Sequence, residues 1–315
     1  MTNPAAPLPI SVVVAVYNGA ATLETLARRL REVFAKLGRD GEILFVDDGS
    51  RDDSWETIRG LSARFPEVRG IGLMRNYGQH NAVLCGLRAA RHPILVTMDD
   101  DLQNPPEEIP LLLARLEEGC DVVYGSPLAE RHGFWRNLAS RLTKRVLQAA
   151  MGVEIARGVS AFRALRAEVL TAGAGYESSF ISIDVLLTWG TNRFAAVPVR
   201  HEPRADGASN YTFFRLVTHA FNMLTGFSVL PLQIASLLGF SFAFFGLLIL
   251  VYVVGRYMLH GSPVPGFPFL ASITAIFSGT QLFALGILGE YMARMHFRSM
   301  GRPQYLVRND TRRPS

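Results

Sequence analysis

The stretch Val96-Thr-Met-Asp-Asp-Asp-Leu-Gln-Asn-Pro-Pro-Glu-Glu-Ile-Pro110 decides how this chain is organised. The apolar run Pro93–Met98 predicts a buried strand that ends in three consecutive carboxylates before a Pro-Pro pair begins a helix. Ligands of open α/β sheets bind at the carboxyl ends of the strands. Asp99 and Asp101 alternate along an extended backbone and point the same way, with Gln103 two residues further on. These oxygen ligands suit a hard divalent cation, which in turn would hold a diphosphate.

Apolar segments alternate with helical periodicity through the N-terminal part of the chain. Further strands are predicted at Ile10–Val16, Ile43–Val46, Val68–Met74 and Asp121–Tyr124. Helices are predicted between them, including Gly78–Ala90 and Glu107–Glu118. Strands that alternate with helices at this pitch predict a parallel sheet covered by helices.

The composition is basic and unevenly apolar. The net charge of +5 comes almost wholly from arginine, because Lys36 and Lys144 are the only lysines. A basic balance favours nucleic acid, an anionic membrane surface or a phosphate-bearing ligand, and composition alone does not choose among them. Hydrophobic residues make up 49 % of the chain and are concentrated after Phe227. Cys85 and Cys120 lack ligand spacing, so we expect structural roles for both.

The C-terminal third has the pattern of a membrane anchor. Residues 211–228 are aromatic-rich with interspersed charges, which is typical of a helix lying in the headgroup layer. Two uncharged runs follow, Pro231–Gly255 and Phe267–Gly289, each long enough to cross a hydrocarbon core of about 30 Å. They predict transmembrane helices at about 231–256 and 267–290. The alternative is a buried hairpin of a soluble protein. Glu290, at the end of the second run, is expected at the interface near Arg294.

Charge predicts the orientation of these runs. Residues 1–9 lack the basic start and apolar core of a secretory signal, so we expect a cytoplasmic N-terminus. Two spans place both termini on one side, and the arginines after the second run, against Arg256 between the runs, make that side cytoplasmic. The predicted organisation is a cytoplasmic domain, an interfacial helix, a two-helix transmembrane region and a cytoplasmic tail, over residues 1–210, 211–228, 229–291 and 292–315.

A second pair of acids follows a buried strand. Asp47-Asp48 precedes Gly49-Ser50 and could form a turn with a helix cap, but its position in register with Asp99 favours a nucleotide-binding role. His80 lies after the third strand, where a loop or helix-start histidine is a better interpretation than a ligand.

Four segments, in order, resemble glycosyltransferase family 2 in its polyprenyl-phosphate branch: Ser11–Asn18 (SVVVAVYN), Val46–Ser50 (VDDGS), Arg75–His80 (RNYGQH) and Asp99–Pro110 (DDDLQNPPEEIP). The resemblance covers nearly the whole chain. It implies an α/β fold, in which a GT-A (Rossmann-like) nucleotide-sugar-binding domain is followed by an interfacial helix and a two-helix transmembrane hairpin. The branch includes dolichol-phosphate mannose synthases and bacterial undecaprenyl-phosphate sugar transferases, and the likeness is greatest to those that transfer 4-deoxy-4-formamido-L-arabinose.

The resemblance also implies the donor site. Mg²⁺ or Mn²⁺ would be held against the diphosphate by Asp99, Asp101 and Gln103, and the two aspartates would be the catalytic residues. The nucleotide sugar would be bound by residues at the strand ends, namely Ala15, Tyr17, Asn18, Asp47, Asp48, Arg75, Asn76, Asp99 and Asp100.

The chain departs from the family pattern at the donor site. The family usually has proline at Ala15, an acid at Gly19 and a small residue at Asp100. An acid is also missing from the segment Ala156–Arg163, where Gly158 and Ala161 stand instead. A phosphate monoester, whose second pKa is about 6, is mostly a dianion at neutral pH, so it attacks without a side-chain base. The alternative is that another acid, Glu202, serves as the base.

The acceptor phosphate is expected to bind arginines, because their forked donors match phosphate oxygens. The alternative for any one arginine is a solvated surface residue. The run Arg200–Tyr211 resembles the family's Arg…Gly-x-Ser-x-Tyr stretch beside the membrane, with Asn210 in place of a usual lysine. The candidate residues for the acceptor phosphate are Arg131, Arg136, Arg163, Arg204, Ser209 and Tyr211, with Arg141 nearby.

The resemblance implies an enzyme of the bacterial inner membrane that transfers a sugar from a UDP-sugar to undecaprenyl phosphate with inversion. The expected sugar is 4-deoxy-4-formamido-L-arabinose, for lipid A modification. Glucose or another hexose, for O-antigen or cell-envelope glycosylation, is the alternative. Related enzymes form tetramers, so a homo-oligomer is expected, and no nucleic acid partner is.

Two other classes of protein stay open at this point. A processive polysaccharide synthase would need more spans and a Gln-x-x-Arg-Trp type motif, which the chain lacks. A catalytically silent, membrane-tethered nucleotide-sugar-binding protein would fit Ala15, Gly19 and the missing acid near Ala161.

Overall fold

The structure is a computed structural model that describes residues 7–127, 158–176, 181–202, 230–260 and 266–312. The chain divides into two compact units, residues 1–213 with 301–315, and residues 214–300. The predicted interfacial helix over 211–228 lies outside the described residues.

The first unit contains an eight-stranded sheet in the order β7-β5-β6-β4-β1-β2-β3-β8. Its strands are β1 (Ile10–Val16), β2 (Gly41–Asp47), β3 (Val68–Leu73), β4 (Ile94–Asp99), β5 (Val122–Pro127), β6 (Arg163–Arg166), β7 (Phe194–Val199) and β8 (Val307–Asp310). Strands β4, β1, β2 and β3 run parallel to one another, as predicted. The sequence does not predict β6, β7 or β8. Strand β6 runs antiparallel between β4 and β5, and β8 runs antiparallel beside β3.

Helices cover both faces of the sheet. They are α1 (Ala20–Leu37), α2 (Ser54–Arg64), α3 (Gln79–Ala89), α4 (Ile109–Glu117) and α5 (Ile183–Gly190), with 3₁₀ segments at Pro106–Glu108 and Ala167–Gly173. Helix α1 forms because Leu23, Leu26 and Leu30 recur on one face, and all three are fully buried. It ends at Gly38, whose φ of 59° is left-handed.

The core has two halves, one on each side of the sheet. Val12 and Val14 of β1 pack with α1, α2 and α4 on one side, whereas Val13 packs with α3 and α5 on the other. A strand buried on both faces reads as a continuous apolar run, which is why β1 and β4 are the clearest elements of the sequence.

In the second unit the structure describes helices α6 (Leu230–His260) and α7 (Phe267–Ser299), which contact each other. The ring centroids of Phe242 and Phe277 are 5.9 Å apart. Among the described residues, the segment Pro231–Leu259 is long and apolar enough to cross a membrane, with a mean hydropathy of 2.6. Glu290 lies 2.7 Å from Arg294, as expected.

The chain returns to the first unit after α7. Strand β8 pairs with β3, and Arg69 Nη2 lies 2.8 Å from Asp310 Oδ2. Residues 301–315 therefore belong to the same unit as residues 1–213. The predicted tail over 292–315 contains the end of a helix and a strand of the main sheet.

Candidate active site

The acidic ends of two strands flank the end of β1. Ala15 is aligned with Asp99 of β4 on one side, and Val16 is aligned with Asp47 of β2 on the other. Parallel strands bring their carboxyl ends to one edge of a sheet, so the acid pairs predicted from separate motifs meet there.

The loop between β1 and α1 is fastened to the loop between β2 and α2. Asn18, with a φ of 54°, donates its backbone N–H to Ser50 Oγ at 3.0 Å and accepts the Arg51 N–H on its side-chain oxygen at 2.8 Å. The backbone N–H of Gly19 donates to Ser54 Oγ at 2.9 Å. Tyr17, by contrast, is 46 % exposed. The two loops therefore form one wall at the end of β1.

Asp48 fastens a third loop to this wall. Its carboxylate, which is 2 % exposed, accepts the backbone N–H groups of Tyr77 and Gly78 at 2.7 and 2.8 Å. Burial raises the pKa of Asp48, and the two hydrogen bonds oppose that effect. Asp48 thus positions the loop that carries the exposed residues Arg75 and Asn76.

Neighbouring contacts bring the same loops together. A Cβ on Gly49, whose φ is +70°, would lie 2.7 Å from the Arg75 carbonyl carbon, so only glycine allows this approach. Asp47 is buried and accepts the Ser50 N–H at 3.2 Å, and burial raises its pKa. The guanidinium of Arg75 lies 4.7 Å from the centroid of the Tyr77 ring.

The three consecutive aspartates have different hydrogen-bond partners. Asp99 Oδ1 accepts a hydrogen bond from the Gln79 side chain at the start of α3. Asp101 Oδ1 accepts the Gln103 N–H at 3.1 Å. Asp100 faces the Tyr17 N–H, and its Oδ2 is buried without a hydrogen-bond partner. Burial raises the pKa of Asp100 to about 7, the negative charge of Asp99 adds to this rise, and the Tyr17 N–H tends to lower the pKa.

These residues fit a divalent cation that is shared with a bound phosphate. Among the described residues, no three His, Cys, Asp or Glu side chains converge as a complete metal site. Mg²⁺ is usually held by one or two carboxylates, together with substrate phosphates and water, so a complete protein cage is not required. Asp99 and Asp101 are such a partial set, and the unpartnered oxygen of Asp100 adds negative charge beside them.

The segment after β7 docks on the loop that follows the aspartates, a contact that sequence reasoning missed. The Glu202 N–H donates to the Gln103 carbonyl at 2.8 Å, and Arg200 Nε donates to Glu108 Oε1 at 2.6 Å. The Glu202 side chain is 51 % exposed and lies 3.9 Å from Arg29. Glu202, the alternative candidate for the base, therefore lies beside the loop that follows the aspartates and close to the guanidinium of Arg29.

Arg163 is placed in the interior, which corrects its predicted role. Its side chain is 4 % exposed and pairs with Asp184, while its Nε donates to Thr97 Oγ1 at 3.0 Å. Tyr124 donates its hydroxyl to the same Asp184 at 3.1 Å, and burial raises the pKa of Tyr124 well above its usual value. Because the Arg163 guanidinium is buried and paired with Asp184, it is not exposed to bind the acceptor phosphate as predicted. Asp184, an acid inside an apolar helical run, was the signal in the sequence.

Other predicted residues are placed as follows. His80 Nδ1 accepts the Ile183 N–H at 3.5 Å, which agrees with the interpretation of His80 as a helix-start residue. The Ala161 carbonyl accepts a hydrogen bond from Thr97 Oγ1 at 2.6 Å. The remaining acceptor candidates lie outside the described residues, namely Arg131, Arg136, Arg141, Arg204, Ser209 and Tyr211.

Comparisons with known proteins agree with this fold and motif set. The profile of glycosyl transferase family 2 matches residues 11–172. An undecaprenyl-phosphate 4-deoxy-4-formamido-L-arabinose transferase of Shewanella sediminis (strain HAW-EB3) is 36 % identical over 304 residues, covering 95 % of this chain and 92 % of its own. The enzyme of the same name from Enterobacter sp. (strain 638) is 35 % identical over 320 residues, covering 100 % and 97 %.

A solved structure shares the fold. Glucosyl-3-phosphoglycerate synthase from Mycobacterium tuberculosis, crystallised with Mn²⁺, UDP and glucosyl-3-phosphoglycerate, superposes with a TM-score of 0.50 at 22 % identity. The match covers 70 % of this chain and 78 % of the synthase, and at this identity it establishes the fold alone. The family profile and the near full-length relatives show that the chain belongs to glycosyl transferase family 2.

Proposed function

We propose that this protein is a membrane glycosyltransferase that moves 4-deoxy-4-formamido-L-arabinose from a UDP-linked donor to undecaprenyl phosphate. The observation that carries the proposal is a sequence identity of 35–37 %, over 95–100 % of the chain, to undecaprenyl-phosphate 4-deoxy-4-formamido-L-arabinose transferases. Similarity of this extent includes the C-terminal helices as well as the donor-binding edge, so it argues for the same acceptor class and not only for a common fold.

The donor would bind at the edge of the sheet where the acids meet. Asp99, Asp101 and Gln103 would hold Mg²⁺ or Mn²⁺, which stabilises the charge that develops on the departing diphosphate. Tyr17 and Asn18 would line the nucleoside side. In this scheme Asp48 acts indirectly, because both of its oxygens hold backbone amides of the next loop.

The acceptor supplies its own nucleophile. A phosphate oxygen attacks the anomeric carbon, the bond from that carbon to the diphosphate oxygen breaks, and UDP leaves with the electron pair. Because the phosphate monoester is mostly a dianion at neutral pH, no side chain has to remove a proton. This accounts for an active site in which Ala161 stands at the usual position of an acid. One displacement inverts the anomeric configuration.

The two C-terminal helices would anchor the enzyme in the inner membrane. Helix α6 has the length and hydropathy of a span. Residues on both sides of the helical pair belong to the same unit, because β8 joins the sheet of the first unit. If α6 crosses the bilayer, the chain must cross again to return, which supports α7 as the second span. Both termini would then be cytoplasmic, and the tetramer expected from the family stays a prediction.

The test is lipid-linked product formation by the full-length protein in detergent. Undecaprenyl phosphate is incubated with Mg²⁺ or Mn²⁺ and, in separate reactions, with the UDP-linked formamido-arabinose, UDP-glucose and other UDP-hexoses, and products are identified by mass spectrometry. We expect transfer of the formamido sugar. Transfer of a hexose alone would replace the proposed sugar, whereas UDP binding without any product would favour the silent binding protein.

The variant Asp101→Ala tests the metal role in the same assay. Because it removes a ligand of the cation that stabilises the leaving group, we expect turnover to fall by about 100-fold or more with little change in melting temperature. Asp40→Ala is the matched control, because Asp40 is exposed and immediately precedes β2 at the opposite edge of the sheet. Chelation of the metal should reproduce the Asp101 defect in the wild type. Full activity of Asp101→Ala would remove the role assigned to it.

A further inference from the structure

Position 19 needs a glycine because there is no room for a side chain, and not because its backbone conformation excludes other residues. It is the N-cap of α1, with a φ of −113° and a ψ of 17°, so no left-handed geometry requires glycine there. A Cβ at this position would lie 2.2 Å from Asp100 Oδ2 and 3.0 Å from Asp100 Cγ. The carboxylate of Asp100 therefore occupies the space that a side chain at position 19 would need.

Asp100 reaches this position from the neighbouring strand. It follows β4, yet its carboxylate lies against Gly19 and faces the Tyr17 N–H in the loop after β1. Helix α1 has no acid in its first turn and no side-chain cap, and a carboxylate beside a helix N-terminus is favoured by the helix dipole. The buried Oδ2 has no hydrogen-bond partner, so satisfying its own polar atoms does not explain why an acid is held here.

We infer that Asp100 is a positioning residue that holds the Tyr17-Asn18 loop against the loop of Asp99 and Asp101, and that Gly19 is its obligate partner. The inference deepens the proposed function, because these two loops are the ones assigned to the nucleoside and to the cation. Because the Asp100 carboxylate fills the space beside Gly19, a side chain at position 19 and a carboxylate at position 100 exclude each other.

The geometry predicts how substitutions at positions 19 and 100 combine in a double variant. A glutamate at position 19 collides with Asp100 and adds a like charge, but this collision disappears when residue 100 is small. Conversely, a small residue at position 100 removes the carboxylate that lies against Gly19 and faces the Tyr17 N–H. Two residues in direct contact are expected to be strongly non-additive, whereas independent residues add.

The experiment is a double-mutant cycle on the full-length enzyme in detergent, with Gly19→Glu, Asp100→Ser and the combined variant. We expect Gly19→Glu to lower kcat/KM for the donor by about tenfold or more, chiefly through KM, and to weaken Mn²⁺ binding measured by electron paramagnetic resonance with UDP present. Asp100→Ser should have a smaller effect in the same direction. The combined variant should recover to within about threefold of the wild type.

Gly60→Glu is the matched control, because Gly60 lies within α2 with open space around its Cβ position. It should leave donor KM and Mn²⁺ binding unchanged. If Gly19→Glu does not fold, Gly19→Ala replaces it, since a single methyl group already meets the carboxylate, and its loss of melting temperature should vanish in the Asp100→Ser background.

The proposal is overturned if the effects of the two substitutions simply multiply, or if Asp100→Ser leaves donor KM and Mn²⁺ affinity unchanged. Failure of the proposed function is a separate result. In that case the wild type makes no lipid-linked product, and the Mn²⁺ and UDP binding cycle still measures the coupling. A wild type that binds neither Mn²⁺ nor UDP would overturn the positioning role as well.

Discussion

At the scale of single residues, the site separates side chains that would touch the donor from side chains that hold other residues in place. Asp99 and Asp101 are at the edge of the sheet, whereas Asp48 is 2 % exposed and uses its carboxylate to hold two backbone amides. Acids that end neighbouring strands thus differ in what they contact, because Asp48 holds backbone amides whereas Asp99 and Asp101 are the proposed ligands of the cation. The distinction rests on hydrogen-bond partners, which a motif does not contain.

The variant Asp48→Asn tests this assignment. An asparagine side chain offers one acceptor oxygen, so one of the N–H groups of Tyr77 and Gly78 loses its partner in a buried place. We expect the free energy of unfolding to fall by about 1–3 kcal/mol, together with a higher KM for the donor. Chemical denaturation and donor kinetics of the full-length protein measure the two effects.

Asp53→Asn serves as the control for Asp48→Asn, because Asp53 is exposed and its side chain makes no capping hydrogen bond. It should change neither quantity. Should Asp48→Asn keep the stability of the wild type and lose only nucleotide affinity, Asp48 would be a direct ligand of the nucleoside after all.

At the scale of elements, β8 completes the sheet with residues far away in the sequence. Without it, β3 would be the edge strand and would leave a row of backbone groups unpaired. The Arg69–Asp310 pair, with side chains 14 % and 6 % exposed, closes the contact, and Gly70 N–H donates to Thr311 Oγ1 at 3.0 Å. The strand therefore holds residues 307–310, which follow α7 in the chain, against β3 of the first unit.

Removing one member of this buried pair should destabilise the first unit strongly. Asp310→Ala leaves the charge of Arg69 largely buried without its partner, a change that typically costs about 3–5 kcal/mol. We expect a clear fall in the denaturation midpoint of the full-length protein. The exposed pair Arg28–Glu32, with side chains 63 % and 50 % exposed, provides the control variant Glu32→Ala, which should change the midpoint little. Equal effects of the two variants would mean that β8 contributes no more than a surface ion pair.

At the scale of the whole molecule, the pairing of β8 with β3 constrains the membrane topology. A chain whose two ends belong to one unit crosses a bilayer an even number of times between them. Hydropathy marks the segment Pro231–Leu259 as a candidate crossing. If this segment crosses the bilayer, the return of the chain to the sheet of the first unit requires a second crossing, and we propose that α7 provides it.

Cysteine labelling distinguishes the possible topologies. In a Cys85→Ala/Cys120→Ala background, Ser262→Cys lies between the two helices and Ser315→Cys lies at the C-terminus. With two spans, a membrane-impermeant maleimide should label position 262 in intact spheroplasts and position 315 only after permeabilisation. Labelling of both positions in intact spheroplasts would indicate a single span, and labelling of neither would indicate that the helices do not cross.

The sequence by itself determined the elements whose signals are local. Buried strands such as β1 and β4 read as apolar runs, α1 reads as a 3.6-residue periodicity, and the acids that end β2 and β4 mark the edge where ligands bind. These features depend on neighbouring residues in the chain, so they are legible without a structure. The resemblance to the family came from four short motifs, and the proposed donor site from the acids within them.

The tertiary structure alone decided which distant residues meet. Three contacts join segments that are distant in the chain. They are the pairing of β8 with β3, the buried ion pair of Arg163 with Asp184, and the contact of the Asp100 carboxylate with Gly19. No local pattern encodes such contacts, because they depend on strand order and on the packing of side chains in the space between elements. That is why an arginine expected to bind phosphate lies in the interior, and why Gly19 and Asp100, which belong to separate motifs, lie in contact.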